Sequence, residues 1–536
     1  MMCDIHDMYR QDFRINKTLM NLFDAIFRND PSSPAIRFDG RTITYGELRA
    51  ETSTMAQVIN SLGVASGDRV ALLLHDSPEF VAAFIATISL GAIAVPINMA
   101  LRAGEQCSIL HNSGASLALI EAEACRTLLT HAPEKLQSLK NAVVVERSGG
   151  RACYETIGPI TLHSLDLLRD KAAGTVEFPA AGPTDPAFIL YTSGSTGEPK
   201  GAVHSQDHIF YTKETFCREV LCLTTDDRLF SSSRLPFAYG LGNSFTFPLL
   251  NGATTVLCRE KPSPDIISRM FNEHRPTIFF AVPVVYNLLL EHHRAGMKLD
   301  CSSLRLCVSA GEALPAQLGE DWEKEFGVQL LDGIGSTEML HMFMSNFENE
   351  VCYGSSGRLI KGYEARLVDE NGAPAPVNTE GHLWIKGESA ALYYWENPEA
   401  TADTFVDGWV RTGDLYRCDD DGYWHHMGRS DDCFKSSGRW VSPVEVENAL
   451  LRHGAVARAA VVEDFDSHQL PCACAFVVKQ DVEFEPAQLE HELRKLAAES
   501  LARFKQPRRY VFVTELPYTA TGKIQRFKLR QELRSS

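Results

Sequence analysis

The stretch Tyr191-Thr-Ser-Gly-Ser-Thr-Gly-Glu-Pro-Lys200-Gly201 carries the clearest chemical signal in the chain. Hydroxyls and glycines packed this densely can gather backbone N–H and side-chain O–H groups around phosphate oxygens, and Lys200 adds a positive point charge. Thr192, Ser193, Gly194, Ser195, Thr196, Gly197 and Lys200 are therefore candidate phosphate ligands. The segment is not a Walker loop, because its second Gly and its Lys fall at the wrong spacing. A flexible Ser/Gly turn is the usual meaning of such composition. Here Pro-Lys-Gly closes the stretch directly after the apolar run 187–190, which reads as a strand, and that favours the phosphate reading.

The elements that must position this loop follow from pattern. Strand-like apolar runs at 69–74, 92–95, 117–120, 142–145, 187–191, 254–257, 277–281 and 304–309 alternate with helical segments. That rhythm predicts an α/β fold whose large N-terminal domain layers mainly parallel sheets with helices. Near Tyr363 it changes. Runs at 363–368 and 382–386, with a turn at Asn371–Gly372 between them, predict a β-rich subdomain over about 350–430. A smaller α+β unit follows, with helices near 443–450 and 487–501 and strands at 459–462, 474–478 and 510–513. The boundary is placed at Asp431, giving domains 1–430 and 431–536. Residues 80–101 lack any charge, but Gly91 and Pro96 divide them into a helix and a short buried strand, not a membrane span.

Composition bounds the partners. The 536 residues carry 52 Lys+Arg and 69 Asp+Glu, a formal charge of −17 that disfavours nucleic acid or an anionic membrane surface. At 44% hydrophobic and 23% charged residues the chain reads as globular. Its 14 cysteines are scattered without a Cys-x-x-Cys, as expected of reduced thiols in the cytoplasm. No signal peptide or C-terminal address is expected from the terminal residues.

Further segments, in order, make a resemblance. Ser309-Ala-Gly-Glu312, Asp332-Gly-Ile-Gly-Ser-Thr-Glu338, Gly408-Trp-Val-Arg-Thr-Gly-Asp414, Gly428-Arg-Ser-Asp-Asp432 and Pro517-Tyr-Thr-Ala-Thr-Gly-Lys523 join the 191–201 loop. Together they resemble the signature of the acyl-adenylate-forming enzymes, which include acyl- and aryl-CoA synthetases, and the resemblance spans nearly the whole chain. It implies that a carboxylate attacks the α-phosphorus of ATP to give acyl-AMP and pyrophosphate, after which a thiol takes the acyl group and AMP leaves. It also implies nucleotide contacts from Ala310, Gly311, Glu312, Asp332, Gly333, Ile334, Thr337, Asp414 and Arg429. Glu338 can hold Mg²⁺ while Thr337 donates to the α-phosphate. Asp414, expected at a loop tip after a strand, suits a ribose diol. Lys523 would neutralise charge as the carboxylate attacks. The small C-terminal domain is expected to be mobile about a hinge at Asp431. It would present first Lys523, then Lys435 to contact the nucleotide or acyl oxygen, with Ser437 and Gly438 lining the thiol tunnel and Trp440 available for stacking.

Two segments point to a subgroup. Leu235-Pro-Phe-Ala-Tyr-Gly-Leu-Gly-Asn243 and Ile334-Gly-Ser-Thr-Glu-Met-Leu-His-Met-Phe343 resemble benzoate-CoA and 2-aminobenzoate-CoA ligases. By that likeness Ala238, Tyr239, Gly335, Leu340, His341 and Met342 line the acid pocket, with Tyr239 and Gly335 forming a flat slot for a ring. The expected ligands are a small aromatic acid, ATP, Mg²⁺ and CoA. The alternative is a free-standing adenylation enzyme that loads a carrier-protein thiol. Either a monomer or a homodimer is compatible with the sequence.

Overall fold

The computed structural model describes residues 21–147, 156–180, 182, 184–193, 199–370, 372–376, 378–436, 439–466, 470–480, 485–518 and 524–535, with only the backbone of Ser193, Trp440 and Ser535. Among these residues the first four hundred build two sheets of nine strands each. Both sheets are parallel at the centre and antiparallel at the edges. The central strands, such as Arg69–Leu73, Leu117–Glu121 and Leu306–Ser309, are buried almost throughout, as parallel strands covered on both faces must be.

The uncharged stretch that could have been read as a membrane span instead lies in the core between the sheets. Ser77 caps helix Pro78–Ser89 by accepting from the Phe80 N–H, and Pro78 opens it. Gly91, at φ +74°, ends it, and strand Ile93–Pro96 follows. The helix is 12 residues long, against about 20 needed to span a bilayer. Among the described residues no helix is long and apolar enough to cross a membrane. Phe84 of this helix packs 5.4 Å from Phe188 and 5.3 Å from Phe245, so one side chain ties the phosphate-loop strand to the segment around Asn243.

Two differences from the sequence reading bear on the site. Pro199–His204 is a strand, antiparallel to Phe188–Ser193, so residues 194–198 join the arms of a hairpin. Its opening Pro-Lys-Gly masked a run that buries Gly201 to His204. At Gly201 a Cβ would lie 2.7 Å from Ile189 Cγ2, so the close approach of the two arms requires glycine. The second difference is Asp414. It lies inside the ten-residue strand Trp409–Cys418, not at a loop tip, because pairing with Trp424–Arg429 extends the strand past Gly413.

The β-rich part is an antiparallel sheet of Glu364–Val368, Gly381–Lys386, Trp409–Cys418, Phe405–Val406 and Trp424–Arg429. The last hundred residues form a three-stranded sheet, Val456–Phe465, Pro471–Lys479 and Arg509–Val513, with helices Pro443–Leu450, Pro486–Ser500 and Arg526–Ser535. This small α+β unit has its own core, in which Val446 and Leu450 of the first helix meet Val461, Ala475 and Leu493.

Candidate active site

The turn after strand Leu330–Gly335 is the centre of the site. The chain leaves the strand at Gly335, runs through Ser336 to His341, and returns antiparallel as Met342–Ser345. A Cβ at Gly335 would stand 2.5 Å from the His341 carbonyl oxygen, so the turn closes this tightly only around glycine. Leu340 sits at φ +63°, a left-handed conformation uncommon for a branched side chain. Both backbone carbonyls flanking Glu338 are held from outside: His204 Nε2 lies 2.9 Å from the Thr337 oxygen, and the Ala391 N–H donates to the Glu338 oxygen at 2.7 Å. The Tyr394 hydroxyl donates to Glu338 Oε1 at 2.7 Å. Lys200 Nζ stands 5.6 Å from the centroid of the same tyrosine ring, so Tyr394 joins Lys200 to the Glu338 carboxylate. Register explains this arrangement, since Tyr394 pairs with Ala202 two residues beyond Lys200.

Asp332, on the strand entering this turn, is buried. Burial pushes its carboxyl well above the usual range, against backbone donors at Leu314 and Gly333. Its Oδ2 accepts from the Leu314 N–H at 3.3 Å, which anchors the end of the Ala310-Gly311-Glu312 loop beside the strand. Gly311, at φ +95°, lets that loop turn.

Asp414 and Arg429 face each other across paired strands. Arg429 Nη1 donates to Asp414 Oδ1 at 3.1 Å and to the Thr412 carbonyl at 2.8 Å, and His426 Nε2 lies 3.6 Å from the same carboxylate. Burial pushes the Asp414 carboxyl up, but His426 and Arg429 outweigh it, so Asp414 sits below the ordinary carboxylate range and is ionised at neutral pH. An ionised, half-satisfied carboxylate is a strong acceptor for a diol. The Asp414→Asn variant is expected to raise the KM for ATP about 10- to 100-fold, the equivalent of one charged hydrogen bond, with a smaller change in kcat. Initial-rate kinetics over ATP concentration measure this, and an unchanged KM would remove Asp414 from the nucleotide site.

The six expected pocket residues also converge. Helix Ala238–Leu241 brings Tyr239 to a ring-centroid distance of 5.7 Å from His341, and the Tyr239 hydroxyl donates to the Val308 carbonyl at 3.0 Å. Ala238, Leu340, His341 and Met342 are buried, and Met342 pairs with Gly335 in the ladder. His341 lies 4.7 Å from both Phe216 and Phe247, with Nε2 3.2 Å from Asn243 Oδ1. Gly242 makes room for it, since a Cβ there would fall 2.5 Å from the ring. Burial lowers the His341 pKa to about 3, so the ring stays neutral.

A pH effect on stability follows. His208 is lowered to about 4 and His204 well below its ordinary 6.5, both by burial. The unfolded chain takes up protons at these positions below about pH 6.5 while the folded chain does not, so stability is lost as pH falls through that window. The thermal unfolding midpoint is expected to drop between pH 7.5 and 5, with a shallower slope in the His341→Asn variant. An equal slope in the variant would contradict a buried neutral His341.

On the C-terminal side, Asp431 is exposed in the turn that follows strand Trp424–Arg429. Lys435 is ion-paired with Glu370, in the turn that follows strand Glu364–Val368. A cavity of about 240 Å³ lies next to that pair, lined by Glu370, Glu380, His382 and Leu415, apart from the cluster around Glu338. Lys523, Ser437, Gly438, residues 194–198 and the side chains of Ser193 and Trp440 lie outside the described residues. Tyr518 and Ile524, on either side of Lys523, form an antiparallel bridge. The Glu312 carboxylate acts electrostatically on both Tyr518 and Arg526, which flank Lys523 in the chain. The sequence reading missed His204, Tyr394, Phe216 and Phe247. Of the added residues only Asn243 carried a signal, as the last residue of the segment 235–243.

Two nine-stranded α/β sheets followed by a small α+β unit, with Lys200 next to a pinned Thr-Glu turn, form the architecture of an adenylate-forming enzyme. The chain matches the family model "AMP-binding enzyme" over residues 23–395 and "AMP-binding enzyme C-terminal domain" over 445–523, and it belongs to this family. It is 41% identical over 501 residues to a benzoate–CoA ligase of Thauera aromatica, covering 92% of this chain and 91% of that protein. It is 34% identical over 521 residues to an anthranilate–CoA ligase of Pseudomonas aeruginosa, covering 96% of each. The crystal structure of the anthranilate CoA ligase AuaEII in complex with anthranoyl-AMP superposes with a TM-score of 0.89 at 37% identity, covering 96% of this chain and 98% of that one.

Proposed function

We propose that this protein is an AMP-forming aryl-CoA ligase that activates benzoate or 2-aminobenzoate as the acyl-adenylate and transfers the acyl group to CoA. The observation that carries the reading is the turn Gly335–His341, a single short segment with Thr337 and Glu338 at one end and Leu340 and His341 at the other. Chemistry at the junction of an aromatic carboxylate and an ATP α-phosphate needs both ends a few ångströms apart. A carboxylate oxygen attacks the α-phosphorus, the bond to the β-phosphate oxygen breaks, and pyrophosphate leaves. The CoA thiolate then attacks the acyl carbon and AMP leaves with the bonding pair. Holding the reactants in line supplies much of the rate.

Lys200, Thr192 and the 193–197 loop bind phosphate oxygens, Thr337 donates to the α-phosphate, and Asp414 with Arg429 holds the ribose. Ala310 to Glu312 and Asp332 to Ile334 form the wall around the base. The Glu338 carboxylate is a hard oxygen donor of the kind Mg²⁺ takes together with phosphate oxygens, and Tyr394 orients it through one oxygen. Glu338 would therefore hold Mg²⁺, which when bound neutralises phosphate charge. Tyr239, Ala238, Gly335, Leu340, His341 and Met342 enclose the aryl ring. The Glu312 charge reaches Tyr518 and Arg526 on either side of Lys523, which supports an arrangement for the first step. Rotation about Asp431 then releases Lys435 from Glu370 and brings Lys435, Ser437, Gly438 and Trp440 to the site for the second.

The test is AMP release from purified protein with ATP, Mg²⁺ and benzoate, 2-aminobenzoate, hydroxybenzoates, cinnamate, cyclohexanecarboxylate or octanoate, each with and without CoA. CoA-dependent turnover on one or two small aryl acids, with the thioester seen by mass, is the expected result. Adenylate formation without a CoA thioester would move the acceptor to a carrier-protein thiol. Inactivity on every aryl acid would overturn the pocket assignment.

A further inference from the structure

Two buried histidines stand behind the Thr337–Glu338 turn. His204 ends the strand Pro199–His204, where it pairs with Phe188 and stacks on that ring at 5.3 Å. His208 lies in the first turn of helix Gln206–Thr212. Their rings are nearly perpendicular, with Nδ1 of each 2.9 Å from Nδ1 of the other, and His204 Nε2 is 2.9 Å from the Thr337 carbonyl oxygen. A carbonyl can only accept, so Nε2 of His204 carries the hydrogen. Burial keeps His204 neutral, which leaves its Nδ1 an acceptor. Nδ1 of His208 must then be the donor. The geometry allows one proton arrangement only: His208 Nδ1–H to His204 Nδ1, and His204 Nε2–H to the Thr337 oxygen.

We propose that His208, acting through His204, is a positioning residue for adenylate formation, holding the Thr337–Glu338 peptide plane so that the Thr337 hydroxyl and the Glu338 carboxylate stay aimed at the phosphates. The inference rests on the function proposed above. The peptide is otherwise held by the Ala391 N–H on the Glu338 oxygen and by Tyr394 on its side chain, both on the far side of Glu338. The Thr337 oxygen also accepts from the Leu340 N–H at 3.1 Å inside the turn, so among the described residues His204 is what ties the Thr337 side to the rest of the fold. Losing the His208 donor leaves a buried imidazole nitrogen without a partner and frees the His204 ring to take the other tautomer, which cannot donate to Thr337. The thiol-transfer step does not depend on this alignment, because the α-phosphate bond has already formed.

The experiment compares wild type, His208→Leu and His208→Asn in two assays: pyrophosphate exchange into ATP with the preferred aryl acid, and thioester formation from supplied acyl-adenylate and CoA. Asparagine places an N–H near the Nδ1 position and leucine places none. Leucine is expected to lower kcat for exchange about 10- to 100-fold, the usual effect of orphaning a buried polar group, with thioester formation unchanged within about threefold. Asparagine is expected to recover most of the exchange rate. Equal impairment of the two variants, or equal loss in both assays, would assign His208 to packing and overturn the proposal. Full exchange activity in His208→Leu would overturn it as well. A second measurement needs no variant to fold: long-range ¹H–¹⁵N spectra of ¹⁵N-histidine wild type at pH 7. They should contain one buried Nε2–H imidazole and one buried Nδ1–H imidazole in mutual contact. Two Nε2–H rings would overturn the relay. If wild type exchanges with no aryl acid, the functional reading falls while the tautomer spectrum still decides the relay.

Discussion

The Glu338→Gln variant is expected to form acyl-adenylate about 10²- to 10³-fold more slowly than wild type, the usual loss on removing one preorganised electrostatic contact to a developing charge. Glutamine keeps the shape of the side chain and an amide oxygen that can still accept from the Tyr394 hydroxyl, now donating to Glu338 at 2.7 Å. The turn itself is held through backbone by Ala391 and His204, so the fold survives and the change isolates the charge. Without that charge the Mg²⁺ concentration giving half-maximal rate should also rise, whereas the KM for the aryl acid should move little. Pyrophosphate exchange measured across a Mg²⁺ titration reads both. A variant within twofold of wild type at every Mg²⁺ concentration would show that Glu338 is not the metal-holding carboxylate.

Lys523→Ala is expected to separate the two half-reactions. Adenylate formation should fall by about 10²- to 10³-fold, because the Lys523 ammonium no longer offsets charge as the carboxylate approaches the α-phosphate. Thioester formation from supplied acyl-adenylate and CoA should remain within a few-fold of wild type. The described neighbours of Lys523 support the split: Tyr518 and Ile524 bridge across it, and Glu312 acts on Tyr518 and on Arg526. Lys435 meanwhile is engaged by Glu370. Lys435 held by Glu370 suits a first step that does not use it, followed by an exchange of roles. Equal loss of both half-reactions in Lys523→Ala would sink the two-state assignment.

The family and the fold were legible in the residues because the candidate groups lie in short contiguous segments. Thr192 to Lys200, Ser336 to Glu338 and Ala310 to Glu312 each bring their ligands together over a few positions. The strands were legible for a related reason: buried parallel strands are continuous apolar runs, so 117–120 and 142–145 match Leu117–Glu121 and Asn141–Val145 within a residue. Helix Pro443–Leu450 declared itself through Ser442, which caps it, and Pro443, which opens it.

Other features were decided only when distant segments met. Asp414 is a strand residue because Arg429 pairs with it, and nothing between Gly408 and Asp414 announces that pairing. Tyr394 reaches Glu338 from 56 positions away because its strand adds to the edge of Pro199–His204. His204 and Thr337 are 133 residues apart, and His204 reads locally as one more polar residue after an apolar run. Sequence by itself proposed which groups could do the chemistry, since local spacing and side-chain type carry that information. Tertiary structure decided which groups hold them still, because a hydrogen bond across a sheet or between layers depends on register and packing that no local pattern encodes.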